Sequence, residues 1–340
     1  DKSHPVYLFF DEIQNIPYWD KSVRRIFDRE PNVKLAITGS SSKLLASEIS
    51  TALRGRTLSY YISPLSFKEF LRFKNVEIQT LDNIYYSPEK NKILNAFNEY
   101  LDFGSFPQVV LSEKKIQILQ EYYRAIFYRD IVERYQIRQI KIFENFLKLV
   151  VQSMAGRFSY GKIADTLKSI GHKVSKSTLI EYMAQIESAF LAFQVPIYSY
   201  SVKDQLQYPR KIYVIDNGLR NAITFRFSSD RGHLLENLVF NHLHRQPANE
   251  IYYWANKNGQ EVDFVIKKGT HITQLIQVCE SLTDPKTKKR ELRALVKAMD
   301  EFNLKSSLML TYDEIGSELV NNKQITIKPV WLWLLEEDKF

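Results

Sequence analysis

The segment Val6-Tyr7-Leu8-Phe9-Phe10 runs without polar interruption into the adjacent carboxylates Asp11 and Glu12. Apolar residues without alternation, mostly aromatic or β-branched, predict a strand buried on both faces of a parallel sheet. Asp20 can cap a helix that carries Val23, Ile26 and Phe27 on one face, Pro31-Asn32 stops it, and Val33 to Thr38 predicts a second strand that ends in Gly39-Ser40-Ser41-Ser42. Strand, helix and strand at this spacing make parallel neighbours, so the chain opens on an α/β sheet. Acids at the carboxyl end of such a strand stand where open α/β sheets bind ligands. They can hold Mg²⁺ and position a water beside nucleotide phosphates, with a polar residue of the second strand next to the γ-phosphate, or they can form a solvated acidic turn. The run by itself is compatible with both.

A chain of 340 residues has room for about two or three domains, each with its own core. With 44% hydrophobic and 25% charged residues the composition is that of an ordinary soluble globular protein, rich in Tyr and Phe. No stretch approaches the roughly 20 apolar residues of a membrane span, and the first residues have no signal-peptide pattern. The single cysteine, Cys279, excludes an internal disulfide framework and suits a reducing cytoplasm. A net charge of +8 permits contact with nucleic acid without requiring it.

Further along come Leu53-Arg54-Gly55-Arg56, a strand-like Leu58 to Ile62, and Pro64 to Phe70, in which Ser66 and Glu69 predict a capping box. The order FFDEIQ, ITGSSSKLL, LRGR and PLSFKEF resembles the second half of an AAA+ ATPase domain, from a group of prokaryotic ATPases with a characteristic C-terminal region. The resemblance implies that Asp11 and Glu12 are the Walker B pair, with Asp11 holding Mg-ATP. It implies that Thr38 and Ser40 are sensor-1 candidates and that Arg54 or Arg56 is the arginine finger, acting on a neighbouring subunit of a homo-oligomer. The alternative for these arginines is a pair of surface ion pairs.

A Walker A loop, G-x-x-x-x-G-K-[ST], belongs one strand and one helix before Walker B, whereas this chain starts five residues before the Walker B strand. The expectation is a truncated or partly ordered version of a longer ATPase, one that by itself binds ATP poorly. A lookalike at Gly156 to Ile163 has Ile163 where a Mg²⁺-binding hydroxyl belongs, and it follows a helical pattern (Phe146, Leu147, Val150, Val151, Met154) instead of a strand. It reads as a loop.

Residues 71–141 read as a helical, aromatic connector, similar to the lid that follows the ATPase domain in the resembled family. A helix from Tyr122 to Ile140 puts Arg134 and Arg138, with Lys141, on one face, either to track a phosphate backbone or as a solvated face beside Asp130 and Glu133. Residues 142–228 read as three helices followed by short strands, the pattern of a winged helix. Ser177 can cap its third helix, which offers Lys173 and Lys176 at its start and then Glu181 and Glu187. DNA and a protein partner are both open. Asp216, at the end of a strand in the family marker Tyr208 to Gly218, reads as structural.

Residues 229–340 predict a helix carrying Glu236, a strand Glu250 to Trp254, a turn at Gly259-Gln260, a strand Glu261 to Ile266 and another from Gln274 to Cys279. This order resembles the PD-(D/E)XK nuclease core, in which carboxylates hold Mg²⁺ and a lysine helps to activate water. Glu236, Asp263 and Gln277 fill three of its places, while Cys279 stands where the lysine belongs. Nuclease activity is therefore expected to be weak or absent, unless Lys286, Lys288 or Lys289 substitutes in space. His242 and His244, two apart, fall on different sides of their helix and read as exposed or core residues.

The expected architecture is multidomain α/β: the C-terminal part of an AAA+ domain (1–70), a helical connector (71–141), a winged helix (142–228) and a restriction-endonuclease-like α/β domain (229–340). The expected function is cytoplasmic: ATP- and Mg²⁺-driven switching in the full-length parent, coupled to C-terminal modules that bind a protein partner or DNA and not a membrane. The rivals are a Mg²⁺-dependent DNA nuclease regulated by the ATPase, and a non-catalytic scaffold.

Overall fold

Strand β1 (Val6–Phe10) and strand β2 (Val33–Ile37) pair in parallel, from Val6 opposite Val33 to Phe10 opposite Ile37, as the strand-helix-strand spacing dictates. The computed structural model describes residues 4–13, 16–40, 57–78, 80–81, 83–224 and 231–336. The intervening helix Trp19–Arg29 buries Trp19 and Val23 with Ile13, against Phe10, Leu35 and Ile37. β1 is not buried on both faces. One helix covers the pair from one side, and side chains alternate along a strand, so Tyr7 and Phe9 face outward, Phe9 at 77% exposure. Tyr18 in a left-handed conformation, and not Asp20, precedes the helix; Asp20 lies in its first turn, where a carboxylate still meets the helix N-terminal charge.

Leu58 to Ile62 forms no strand, and Leu58, Tyr60 and Ile62 are exposed. The capping box forms as expected: Ser66 Oγ accepts the Glu69 N–H at 3.2 Å and Glu69 Oε2 accepts the Ser66 N–H at 2.6 Å, opening the helix Phe67–Phe73. Helices Glu89–Phe103, Pro107–Leu111 and Lys115–Ala125 follow, the last running on as a π-helix over Ile126–Glu133. A single helix from Tyr122 to Ile140 does not form. Gln136 turns left-handed (φ 50°) and the Ile137 N–H returns to the Val132 carbonyl at 3.0 Å, so Arg134 and Arg138 lie in the break and share no helical face with Lys141.

Helices Ile140–Gln152, Tyr160–Ser169 and Lys176–Ser188 pack with an antiparallel sheet of order β3-β5-β4, made of β3 (Arg157–Phe158), β4 (Ala192–Val195) and β5 (Arg210–Val214). Ser175, and not Ser177, caps the third helix by accepting the Thr178 N–H at 3.1 Å. Gly156 to Ile163 is no continuous loop: it supplies β3 and the first turn of Tyr160–Ser169.

The rest is a helix, Arg231–His244, and a mixed sheet of order β10-β11-β9-β8-β7-β6. Its strands are β6 (Glu250–Ala255), β7 (Glu261–Lys268), β8 (His271–Val278), β9 (Ser306–Thr311), β10 (Gly316–Val320) and β11 (Lys323–Pro329), with helix Pro285–Glu301 before β9. One core runs from Phe67 to the closing helix Val330–Glu336, where Trp331 is fully buried, and a second lies between the sheet and Pro285–Glu301. The two sheets meet where Tyr198 donates its N–H to the Tyr253 carbonyl at 2.6 Å and Tyr253 returns its N–H to Pro196 at 3.1 Å.

Asp216 joins the first helices to this body. Its Oδ1 accepts the Leu219 N–H at 3.0 Å, capping Asn217–Ile223, and its Oδ2 accepts the Ser105 N–H at 2.7 Å and the Ser105 hydroxyl at 3.1 Å. Burial, against these hydrogen bonds, pushes its pKa up to about 6. Folded Asp216 therefore holds a proton that the unfolded chain releases near pH 4. The stability it contributes is complete below that pH and lost as pH rises through 6, while His242, lowered to about 4 by burial, acts in the opposite sense. In urea denaturation across pH 4 to 7, the unfolding free energy of Asp216→Asn minus that of the parent is expected to rise with pH, by up to about 1.4 kcal/mol per unit, and to level off above 6. A pH-independent difference would refute this.

Candidate functional site

Two clusters of ionisable groups stand out. The first lies at the carboxyl ends of β1 and β2, where Asp11 and Glu12 follow one strand and Thr38 the other. The Thr38 hydroxyl donates to Asp11 Oδ1 and accepts the Glu12 N–H at 3.2 Å. Ser40 Oγ donates to Glu12 Oε2 at 3.2 Å. Glu12 itself takes a left-handed backbone (φ 48°), a sparsely populated conformation for a non-glycine residue. Asp11, Glu12, Thr38 and Ser40 are thus brought together, while Arg54 and Arg56 lie outside the described residues.

A further residue reaches this cluster from the helical connector. Arg134, just past the π-helix, donates from Nη2 to Ser40 Oγ at 3.0 Å, and its Nη1 is buried with no hydrogen-bond partner among the described residues. Arg129 pairs with Asp130 at 3.0 Å; this pairing, with a smaller contribution from the Glu12 charge, raises its pKa above the usual arginine range. Helical periodicity singled out Arg134 but grouped it with Arg138 and Lys141 instead of Ser40, because π winding followed by a break changes which side chains share a face.

The second cluster is buried in the body. Lys211 of β5, 2% exposed, sends Nζ to Glu236 Oε1 at 2.8 Å, Glu261 Oε1 at 2.7 Å and Asp263 Oδ1 at 2.7 Å. The Tyr213 hydroxyl donates to Glu236 Oε1 at 2.6 Å, Arg157 meets Glu261 Oε2 at 2.6 Å, and the Val278 N–H donates to Asp263 Oδ2 at 2.9 Å. Burial alone would lower the Lys211 pKa, but Asp263 and Glu236 raise it well above the ordinary value, so it stays an ammonium. Burial, then Asp263, pushes Glu236 up to about 8.

Glu236 and Asp263 thus meet at Lys211 Nζ, while Gln277 is turned to other duties. Its Oε1 accepts the Asp263 backbone N–H at 3.2 Å and its Nε2 donates to Glu291 at 2.8 Å. Burial, then Glu291 and Asp263, pushes the Cys279 thiol up to about 12, which keeps it neutral. Lys288 pairs with Glu318 at 2.6 Å. Among the described residues, no group of three or more His, Cys, Asp and Glu side chains is arranged to hold a metal ion. His242 packs on Trp333 and His244 on Phe193, each at 4.6 Å between ring centroids, so both belong to aromatic packing. Sequence reading missed Lys211: it follows Arg210 in a strand that is buried at every position from Lys211 to Val214, so alternation does not mark it.

Among the described residues, no helix is long and apolar enough to cross a membrane. Three family models match the chain: an AAA domain over residues 1–71, a domain of unknown function (DUF8612) over 94–230, and another (DUF4143) over 231–331. An uncharacterized protein of Haemophilus influenzae is 30% identical over 271 residues, covering 78% of this chain and 64% of its own length. Among solved structures, the Walker-type ATPase PABY2304 of Pyrococcus abyssi superposes with a TM-score of 0.44 at 14% identity, over 64% of this chain and 63% of that chain. The uncharacterized protein MJ1544 of Methanocaldococcus jannaschii is 41% identical over 342 residues, covering 96% of this chain and 74% of the relative. With identity of that extent, and with the AAA-domain match at 1–71, the chain belongs to the family of MJ1544.

Proposed function

We propose that the full-length protein is an ATP hydrolase whose nucleotide site includes the carboxyl ends of β1 and β2, and that nucleotide state is coupled to the C-terminal units. The AAA-domain match over 1–71 supports the class, and the Asp11-Thr38-Glu12-Ser40-Arg134 network supports the location. The observation that carries the reading is Arg134: a guanidinium beside the serine and carboxylates, with one buried nitrogen that has no partner among the described residues, suits a phosphate oxygen. The donor set fits Mg²⁺, since Asp11 offers carboxylate oxygen and Thr38 hydroxyl oxygen, both hard ligands. Bound Mg-ATP would supply the phosphoryl group and neutralise its charge. Asp11 would hold the cation and Glu12 would orient a water, while the Thr38 hydroxyl holds the Asp11 carboxylate and the Glu12 N–H, and Ser40 links Glu12 to Arg134.

Arg54 or Arg56 would complete a neighbouring subunit's site in a homo-oligomer. The three helices with β3-β5-β4 would serve as a winged-helix module, and the six-stranded sheet as an inactive nuclease-like module; together they would bind a DNA or protein partner. ATP turnover by the intact protein with Mg²⁺ tests the reading. Arg134→Ala is expected to lower kcat about tenfold, in proportion to one lost charged contact to the reacting phosphate. Absence of any turnover by the intact protein would overturn it.

A further inference from the structure

We propose that β10 and the basic side of helix Pro285–Glu301 dock an extended segment of a partner protein in which acidic and apolar residues alternate. This deepens the partner-binding role proposed above for the six-stranded sheet, and rests on that role and not on the nucleotide site. β10 is the last strand of its sheet: one edge pairs with β11, and among the described residues the other edge pairs with no strand. At the far end of the sheet, β6 carries a further bridge from Tyr253 to Ile197. Edge strands are commonly blunted by proline, lysine or a bulge, and Gly316-Ser317-Glu318-Leu319-Val320 has none of these. Such an edge can take one more strand, held by main-chain hydrogen bonds.

The two faces of this edge select different side chains. Glu318 and Val320 face the helix: Glu318 pairs with Lys288 at 2.6 Å, and Val320 packs against the core between sheet and helix. Alternation puts Leu319 on the other face, 69% exposed, and Ile315 just before the strand is exposed too. Beside β10, Lys288, Lys289, Arg293, Lys297 and Val320 line one cavity of about 650 Å³. Lys288 is taken by Glu318, whereas Lys289, Arg293 and Lys297 are exposed and form no ion pair among the described residues. These three follow one another at about 6 Å along the helix, close to the repeat of about 6.6 Å between side chains on one face of a strand. A strand laid beside β10 therefore sets an acid near each cation, as Glu318 already meets Lys288, and its intervening apolar residues pack on Leu319. Single-stranded nucleic acid stacks its bases on aromatic rings, and no aromatic side chain among the described residues lines this cavity. A second copy paired edge to edge would bring like charges together.

The experiment uses the full chain without nucleotide and a fluorescein-labelled peptide of alternating glutamate and valine as the probe, with binding followed by anisotropy and located by hydrogen exchange. Saturable binding that slows exchange of the Gly316–Val320 amides is expected. Lys289→Gln, Arg293→Gln and Lys297→Gln together are expected to weaken it about tenfold. The same peptide N-methylated along its backbone keeps its charges and loses its main-chain donors, and it is expected to bind at least about tenfold more weakly. Absence of saturable binding, unchanged affinity in either comparison, or protection away from β10 would overturn the proposal. So would an oligothymidylate that displaces the peptide and loses affinity in the triple variant, which assigns the cations to nucleic acid, or self-association of the free chain that protects the same amides. No arm involves ATP, so failure here leaves the hydrolase reading standing, and absence of turnover leaves this one standing.

Discussion

Glu12→Gln is expected to lower ATP turnover by the full-length protein at least a hundredfold, with nucleotide affinity within about twofold of the parent. The substitution keeps size and hydrogen bonding: the amide oxygen can still accept from Ser40 Oγ, now at 3.2 Å from Glu12 Oε2, and the backbone N–H can still reach Thr38. What it removes is the negative charge that polarises a water for attack, a contribution realised in the transition state and not in ground-state binding. The Glu12 N–H bond to Thr38 is a backbone contact, so it survives the change of side chain. Single-turnover rates alongside equilibrium nucleotide binding separate the two effects. An unchanged single-turnover rate would remove Glu12 from the reaction.

Gly218→Ala is expected to cost on the order of 4 kcal/mol of stability and to lower the unfolding temperature by about 10 °C. A methyl group on Gly218 would stand 1.9 Å from the Phe103 carbonyl oxygen and 3.0 Å from the Gly104 nitrogen. Both are backbone atoms at the end of helix Glu89–Phe103, so no side chain can swing aside. Relief would require parting the two helix ends, which breaks the Ser105-to-Asp216 hydrogen bonds at 2.7 and 3.1 Å and uncovers a buried carboxylate. Gly104 faces the same joint with φ +74°, and a methyl group there would fall 1.9 Å from Asp216 Oδ1. Calorimetry of Gly218→Ala checks the expectation. A shift of less than about 2 °C would mean that the joint gives way cheaply.

Local signals carried the sequence reading furthest. The capping box at Ser66 and Glu69 lies within four residues, and the parallel pairing of β1 and β2 follows from one connection length. Asp11, Glu12, Thr38 and Ser40 were legible because each follows directly from a strand end. The exposure of Tyr7 and Phe9 was not, since a run of apolar residues does not say how many layers cover it. Arg134 was legible as a candidate phosphate contact, but its reach to Ser40 was hidden by a helix that changes its winding at Ile126 and breaks at Gln136. Lys211 was hidden by distance: its partners are 25 to 52 residues away, in elements whose pairing no periodicity records. Lys286, Lys288 and Lys289 follow Cys279 in the chain, whereas the buried ammonium beside Glu236 and Asp263 comes from β5.

The boundary between the matched regions, at residues 230 and 231, falls between Lys211 and all three of its carboxylates. Residues 231–331 made alone would bury Glu236, Glu261 and Asp263 without their cation, and residues 94–230 alone would present a lysine on an apolar strand with nothing to neutralise. During synthesis β5 leaves the ribosome first, so its lysine must stay hydrated until β7 arrives.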